Sequence, residues 1–176
     1  LVSVVHGSNV TGAIQPVDRI GPLVREAGAL FLVDASQTAG AVPIDVETMA
    51  IDLLAFPGHK ALLGPPGTGG LYVGPRAELE PWREGGTGVQ SEAPLQPDTL
   101  PLHLEAGSPN TLGVAGLRES LRFIQQYGVP WIRTHELALT RRLLEGLQAI
   151  DRVVIHGPAA LEGRVAVVSI TVREMS

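Results

Sequence analysis

Residues 52–60 read Asp52-Leu53-Leu54-Ala55-Phe56-Pro57-Gly58-His59-Lys60, an apolar run that ends in glycine, histidine and lysine. The run predicts a buried β-strand that leads directly into polar residues. Lys60 is the only lysine of the chain, whereas the other twelve basic side chains are all arginine. A neutral lysine amine can attack a carbonyl carbon, and a guanidinium cannot be deprotonated in practice. Lys60 is therefore the first candidate for covalent chemistry, the alternative being a lysine that occurs here by chance.

Further apolar segments alternate with amphipathic ones, which is typical of an α/β fold with a mostly parallel sheet. Ligands of such sheets bind outside the carboxyl ends of the strands. Asn9, Asp34 and Lys60 each follow a predicted strand, so we expect the three side chains to converge. The predicted strands cover residues 1–5, 29–33, 52–56 and 69–73, and the first two are predicted to be buried. The predicted helices cover residues 16–27 and 45–49. The first helix has Ile20, Leu23, Val24 and Ala27 on one face and should end at Gly28.

The second half of the chain predicts a different organisation. Residues 75–110 are irregular and rich in proline and glycine, and a loop of that length is usually functional or lies at an interface. Helices are predicted over residues 112–127 and 130–150, and strands over residues 153–155 and 165–172. We therefore expect part of a larger domain in residues 1–128 and the start of a smaller domain in residues 129–176. An apolar run without an initiator methionine opens the chain, which indicates a fragment of a longer protein.

Composition excludes several classes of function. No apolar run is long enough to cross a membrane, and the start of the chain lacks the features of a signal peptide. The net charge is −5 and the basic residues are dispersed, which argues against nucleic acid as a partner. Cysteine is absent and the five histidines are scattered, so no metal site is predicted. We expect a cytoplasmic protein.

The glycine-rich segment after Lys60 imitates a nucleotide-binding loop. Gly64 and Gly69 have the spacing of a P-loop, but Gly70 and Leu71 stand where lysine and a hydroxyl residue are required. The segment also leads into a predicted strand, whereas a P-loop leads into a helix. A rigid turn beside Lys60 is the better interpretation.

The polar residues at the strand ends match the needs of pyridoxal phosphate (PLP), which enzymes hold as a Schiff base on lysine. Lys60 would provide the amine, and Asp34 would keep the pyridine nitrogen protonated. Gln37 and Asn9 could bond the ring oxygen, and His59 could donate to the phosphate. The alternative for Asp34 is a helix cap, and the alternative for the other three is an ordinary loop or structural residue.

Four motifs in order resemble the class V aminotransferase superfamily, and most closely its cysteine desulfurase/selenocysteine lyase branch. The resemblance covers most of residues 1–128 and implies the PLP-dependent transferase fold of type I: the mostly parallel sheet of the large domain plus part of a small C-terminal α+β domain. It also implies a homodimer with shared active sites. The motifs are Ser8-Asn9-Val10-Thr11-Gly12, Val33-Asp34-Ala35-Ser36-Gln37, Gly58-His59-Lys60 with Gly64-Pro65, and Glu105-Ala106-Gly107-Ser108-Pro109-Asn110.

The resemblance assigns roles to the residues of these motifs. It implies that Lys60 forms the Schiff base and later moves the α-proton of the substrate. Asp34 would pair with the pyridine nitrogen, and Gln37 and Asn9 would contact the ring oxygen.

The phosphate residues depart partly from the family pattern. His59 would bind the phosphate, and Ser108 would reach the phosphate of the partner subunit. Pro57 stands where the family often has serine or threonine, and it has no hydroxyl to donate. Ser36 is the nearby candidate to compensate for the missing hydroxyl.

A cysteine desulfurase-like reaction on a small amino-acid substrate is the activity that the resemblance implies, with a sulfur-acceptor protein as a possible partner. Another class V activity (transamination, epimerisation or a different lyase reaction) shares Lys60 and Asp34, so it stays open. An inert fragment of such an enzyme is the third alternative. The family's substrate-carboxylate arginine and catalytic cysteine are expected outside this chain.

Overall fold

A computed structural model describes residues 1–89 and 92–174. Four strands form one sheet, and their order in the sheet is their order along the chain. The first three strands are parallel, and the fourth runs antiparallel to the third. The mixed, mostly parallel sheet confirms the predicted α/β class. The strands are β1 (Val2–Val5), β2 (Phe31–Asp34), β3 (Leu53–Pro57) and β4 (Gly69–Val73).

The core lies on one side of β2, where Phe31 and Val33 are completely buried. Strand β1 exists as predicted but is not buried, since Val2 is 36% exposed and Val5 is 50% exposed. It is an edge strand whose only partner in the described part of the chain is β2. The continuous apolar run therefore predicts the strand correctly but not its burial. Such a run does not show whether both faces of the strand are covered.

The predicted first helix is confirmed as α1 (Val17–Glu26). Val17 and Val24 bury its inner face, and Gly28 takes up the left-handed conformation (φ +71°) just after its end. Leu23, predicted on the buried face, is 65% exposed. The buried face contains Gly21 instead. The Met49 carbonyl lies so close to Gly21 that any side chain at this position would collide with it.

The helix predicted over residues 45–49 is absent. The Asp45 carboxylate accepts the amides of Glu47 and Thr48, at 3.0 and 2.9 Å, which makes an Asx-type turn. Ala50 then has a positive φ of 54° that stops any helix. An acidic residue before a short apolar segment thus predicts a helix, and only one turn forms.

The C-terminal part consists of two long helices and a hairpin. Gly128 (φ +82°) separates the two helices. The last strand begins at Ser169 and not at residue 165 as predicted. The Val165 amide donates to the Gly12 carbonyl, so Val165 does not pair with the other strand of the hairpin. The elements are α2 (Thr111–Tyr127), α3 (Val129–Gln148), β5 (Val153–His156) and β6 (Ser169–Val172), with a 3-10 helix over Leu102–Leu104. The domain boundary near residue 128 stays a prediction.

Two sequence expectations concern ligands and surfaces. Among the described residues no helix is long and apolar enough to span a membrane, and no cluster of His, Asp or Glu could hold a metal ion. The sequence also predicts that the pair His135-Glu136 faces solvent. His135 is exposed, but Glu136 is half-buried and its burial raises the pKa of its carboxyl group.

Candidate active site

The carboxyl ends of β1, β2 and β3 meet at one edge of the sheet because these strands are parallel. In register, Val5 lies beside Asp34, and Asp34 lies beside Ala55. The His6 amide donates to the Asp34 carbonyl at 2.9 Å, which extends the β1–β2 pairing past the strand end. The segments that carry Asn9, Asp34 and Lys60 therefore leave the sheet at the same edge.

Asn9 lies at the tip of a loop that follows β1. The Ser8 hydroxyl accepts the amides of Val10 and Thr11, at 3.2 and 3.0 Å, which orders the tip. Gly7 and Ile14 form a β-bridge at the base of the loop. The Asn9 side chain itself is exposed.

Asp34 is the last residue of β2 and is half-buried. One carboxylate oxygen accepts the Ser36 amide at 2.8 Å, so this group does cap the turn that follows. A carboxylate has acceptor capacity for several hydrogen bonds, so this bond does not exhaust it. The same turn places Ser36 and Gln37, both half-buried, next to Asp34 in the chain.

Lys60 lies in a loop that is tied at its base. The Gly58 amide donates to the Thr68 carbonyl and the Gly64 amide donates to the Gly58 carbonyl, both at 2.7 Å. A side chain on Gly58 would collide with the Thr68 hydroxyl, so glycine is required in front of His59 and Lys60. Both of these side chains are exposed. The glycine-proline segment is therefore a frame for Lys60, and it leads into strand β4 as predicted.

Ser108 lies in the segment that precedes helix α2. It lines an open pocket of about 400 Å³ together with Trp82, Arg83 and Val114, and neither Lys60 nor Asp34 lines that pocket. The loop of Ser108 still touches the lysine loop through one residue. Asn110 accepts the Gly113 amide at 3.0 Å as the cap of α2, and its amide nitrogen donates to the Gly67 carbonyl at 3.4 Å.

Two buried polar groups behind the sheet edge are not predicted from the sequence. His6 is 3% exposed, Thr38 is completely buried, and Nδ1 of His6 and the hydroxyl of Thr38 have no hydrogen-bond partner in the described part of the chain. Burial lowers the pKa of His6, and the nearby Asp18 opposes that shift. One sequence signal could have indicated His6. It follows strand β1 directly, much as Asp34 stands at the end of strand β2.

Fold and site together define a protein whose lysine and carboxylate stand at neighbouring strand ends of an α/β sheet. The whole chain, residues 1–176, matches the family described as aminotransferase class-V, and the chain belongs to that family. The order of the four sequence motifs is thereby explained, and the resemblance inferred from them is confirmed.

Particular relatives are cysteine desulfurases. The chain is 39% identical over 161 residues to a probable cysteine desulfurase of Methanothermobacter thermautotrophicus, covering 89% of this chain and 40% of the relative. It is 38% identical over 177 residues to a probable cysteine desulfurase of Pyrococcus abyssi, covering 98% and 44%. The apo structure of cysteine desulfurase from Thermococcus onnurineus NA1 superimposes with a TM-score of 0.88 at 35% identity, covering 99% of this chain and 44% of that one. The chain thus spans less than half the length of these relatives.

Proposed function

We propose that this chain is the lysine-bearing part of a PLP-dependent, cysteine desulfurase-like enzyme. The observation that carries the proposal is the placement of Lys60 and Asp34 after neighbouring parallel strands, β3 and β2, at one sheet edge. Membership of the class V family supports the cofactor, and the names of the relatives support the reaction.

The residues at this edge fit the cofactor chemically. PLP presents an aldehyde carbon, a ring nitrogen, a ring oxygen and a phosphate, which call for an amine, a carboxylate, amide donors and cationic or hydroxyl donors. Lys60 is the amine and Asp34 is the carboxylate. Both are open to a ligand, since Lys60 is exposed and Asp34 is only half-buried.

Lys60 and Asp34 would do the chemical work. When bound, PLP supplies a ring that accepts the electron pair released at the α-carbon of an amino acid. The Lys60 amine would bind the aldehyde carbon and, once released by the substrate, would remove the α-proton. The Asp34 carboxylate would hold a proton on the ring nitrogen, for which its remaining lone pairs are available.

The other residues would bind and orient the cofactor. Asn9, at the tip of the ordered loop after β1, and Gln37, in the turn after β2, would donate to the ring oxygen. His59 would bind the phosphate from the loop of Lys60, and Ser36 would supply the hydroxyl that Pro57 lacks. We further propose that Ser108 serves the phosphate of a partner subunit, as the resemblance to the family implies; it lines an open pocket that Lys60 does not line.

The remaining proposals concern the whole protein. We propose that sulfur or selenium is removed from cysteine or selenocysteine, that two subunits share active sites, and that a sulfur-acceptor protein takes up the product in the cytoplasm. Other class V reactions would use Lys60 and Asp34 in the same way, and the names of the relatives favour desulfuration over them.

The unique lysine makes the central step directly testable. After incubation with PLP and reduction with borohydride, the cofactor should be attached covalently to the peptide that contains Lys60. Because Lys60 is the only lysine of residues 1–176, an adduct on a lysine within this sequence identifies Lys60 without ambiguity. Lys60→Arg keeps the positive charge but should carry no adduct.

The contrary result is equally clear. Labelling confined to another amine, or equal labelling of the wild type and Lys60→Arg, would show that Lys60 is not the cofactor residue. In parallel, Asp34→Asn should retain the bond to the Ser36 amide and lose the negative charge. It should therefore bind PLP with an altered absorption spectrum, while the fold is kept.

A further inference from the structure

Arg164 is the largest completely buried side chain of the described residues. Its Nη1 donates to the Pro158 carbonyl at 2.6 Å and its Nη2 donates to the Val167 carbonyl at 2.7 Å. A buried guanidinium is costly unless it is hydrogen-bonded, and these carbonyls compensate for part of the lost water, whereas Nε has no hydrogen-bond partner among the described residues. Arg164 thereby joins both ends of residues 158–167 into one closed loop.

That closed loop is paired with the loop that carries Asn9. The Val165 amide donates to the Gly12 carbonyl at 2.8 Å, and the Ile14 amide donates to the Gly163 carbonyl at 2.9 Å. Ala13 and Arg164 form an antiparallel β-bridge between these two bonds. The residues on either side of Arg164 therefore bond directly to the Asn9 loop.

The two loops also pack too closely to slide past each other. A side chain on Gly12, whose φ is +76°, would place its Cβ 2.5 Å from the Val167 carbonyl oxygen. A side chain on Gly157 would collide with the Thr11 carbonyl, and the Ser169 hydroxyl donates to the Val10 carbonyl. Contacts from the C-terminal part thus extend along the loop from residue 10 to residue 14.

We propose that Arg164 is a positioning residue for the cofactor site: by closing residues 158–167 it holds the loop of Asn9 against the sheet edge. This inference rests on the proposed role of Asn9 at the cofactor ring. The loop closes its own base through the Gly7–Ile14 bridge and the bond from the Ser8 amide to the Ala13 carbonyl at 2.8 Å, and the C-terminal contacts add a second restraint along residues 10–14. Because only molecules with a correctly placed loop bind the ligand, the apparent affinity is proportional to the fraction of molecules in that state.

The first test needs no cofactor. Amide hydrogen exchange is compared between the wild-type chain, Arg164→Met, and Arg152→Met as a matched control. Arg152 lies in the same part of the chain and also donates to a backbone carbonyl, that of Arg173 at 3.2 Å, but it is exposed. In Arg164→Met the Ile14 and Val165 amides should exchange about tenfold faster, and those of β2 should not change.

A milder variant covers the case in which Arg164→Met is globally unstable. Ser169→Ala removes the hydroxyl that bonds the Val10 carbonyl and leaves the guanidinium in place. It should raise exchange within residues 8–14 to a smaller extent. Exchange in residues 8–14 that is no faster in either variant than in Arg152→Met overturns the proposal.

The second test separates positioning from general stability. Arg164→Met should weaken PLP binding about tenfold, whereas the same change in an Asn9→Ala background should add little. An equal loss of affinity in both backgrounds contradicts a role through Asn9. Failure of the wild type to bind PLP overturns the proposed function instead, and the exchange experiment still decides whether Arg164 holds the loop.

Discussion

Asp52 stands at the start of the strand that leads to Lys60, and its removal should destabilise the sheet by a predictable amount. The carboxylate is 2% exposed. It accepts the Phe31 amide at 2.9 Å and binds Arg76 Nη1 at 3.1 and 3.2 Å. Arg25 approaches to 3.8 Å from the surface. One side chain thus satisfies the first amide of β2 and anchors two arginines.

The cost of each substitution follows from what it leaves unpaired. Asp52→Ala leaves the amide of the completely buried Phe31 without an acceptor, at a cost of about 1–3 kcal/mol. The ion pair adds about 1 kcal/mol, since the Arg76 side chain is 36% exposed and remains hydrated. Asp52→Asn keeps an acceptor for Phe31 and should cost only about 1 kcal/mol.

Urea unfolding followed by circular dichroism measures these differences as shifts of the midpoint at constant slope. Asp52→Ala should lose about 2–4 kcal/mol of the free energy of unfolding. The exposed Asp151 provides the control, and Asp151→Ala should change it by less than about 0.5 kcal/mol. If Asp52→Asn destabilises as much as Asp52→Ala, the loss of the charge matters more than the unpaired Phe31 amide, and the reasoning is refuted.

Two further predictions concern pH and the lysine loop. Both ring nitrogens of His103 lie 2.9 Å from carbonyls, of Pro97 and Leu79, and these bonds raise its pKa above the ordinary 6.5. Only a protonated ring donates twice, so its stabilising effect should be complete below pH 6.5 and disappear as pH rises through the raised value; an NMR titration midpoint at or below 6.5 contradicts this. Gly58→Ala should cost about 1–3 kcal/mol by urea unfolding and reduce borohydride labelling of Lys60, because its Cβ collides with Thr68. Adding Thr68→Ala should recover part of the loss, and a single variant as stable as the wild type contradicts the steric argument.

The strongest sequence signals are local. An apolar run that ends in a glycine or a polar residue marks every strand of the sheet, since strand formation here depends on a few consecutive side chains. Gly28 and Gly128 end helices as expected, because a left-handed residue after a helix strongly favours glycine. The motifs that carry Asn9, Asp34 and Lys60 are likewise readable, because each lies within a few residues of a strand end.

Each wrong prediction has a physical cause. The Asp45 turn imitates the start of a helix because the same residue that caps a helix can satisfy its own backbone in a turn. Leu23 has the spacing of a core residue, but Gly21 lies on the buried face instead. The Met49 carbonyl packs against Gly21, and this contact between distant segments cannot be read from the spacing of apolar residues. The burial of β1 is overestimated because exposure depends on what covers a strand.

By itself the sequence determined the α/β class, the family and the lysine on which the proposed chemistry depends. These follow from residue identities in short windows, where one glycine or one lysine has a consequence independent of the rest of the chain. Only the tertiary structure decided that Asn110 bonds the lysine loop at Gly67, that Asp52 satisfies a buried amide of another strand, and that the neighbours of Arg164 pair with the loop of Asn9. Each of these is a relation between residues far apart in sequence, and packing alone determines which of them meet.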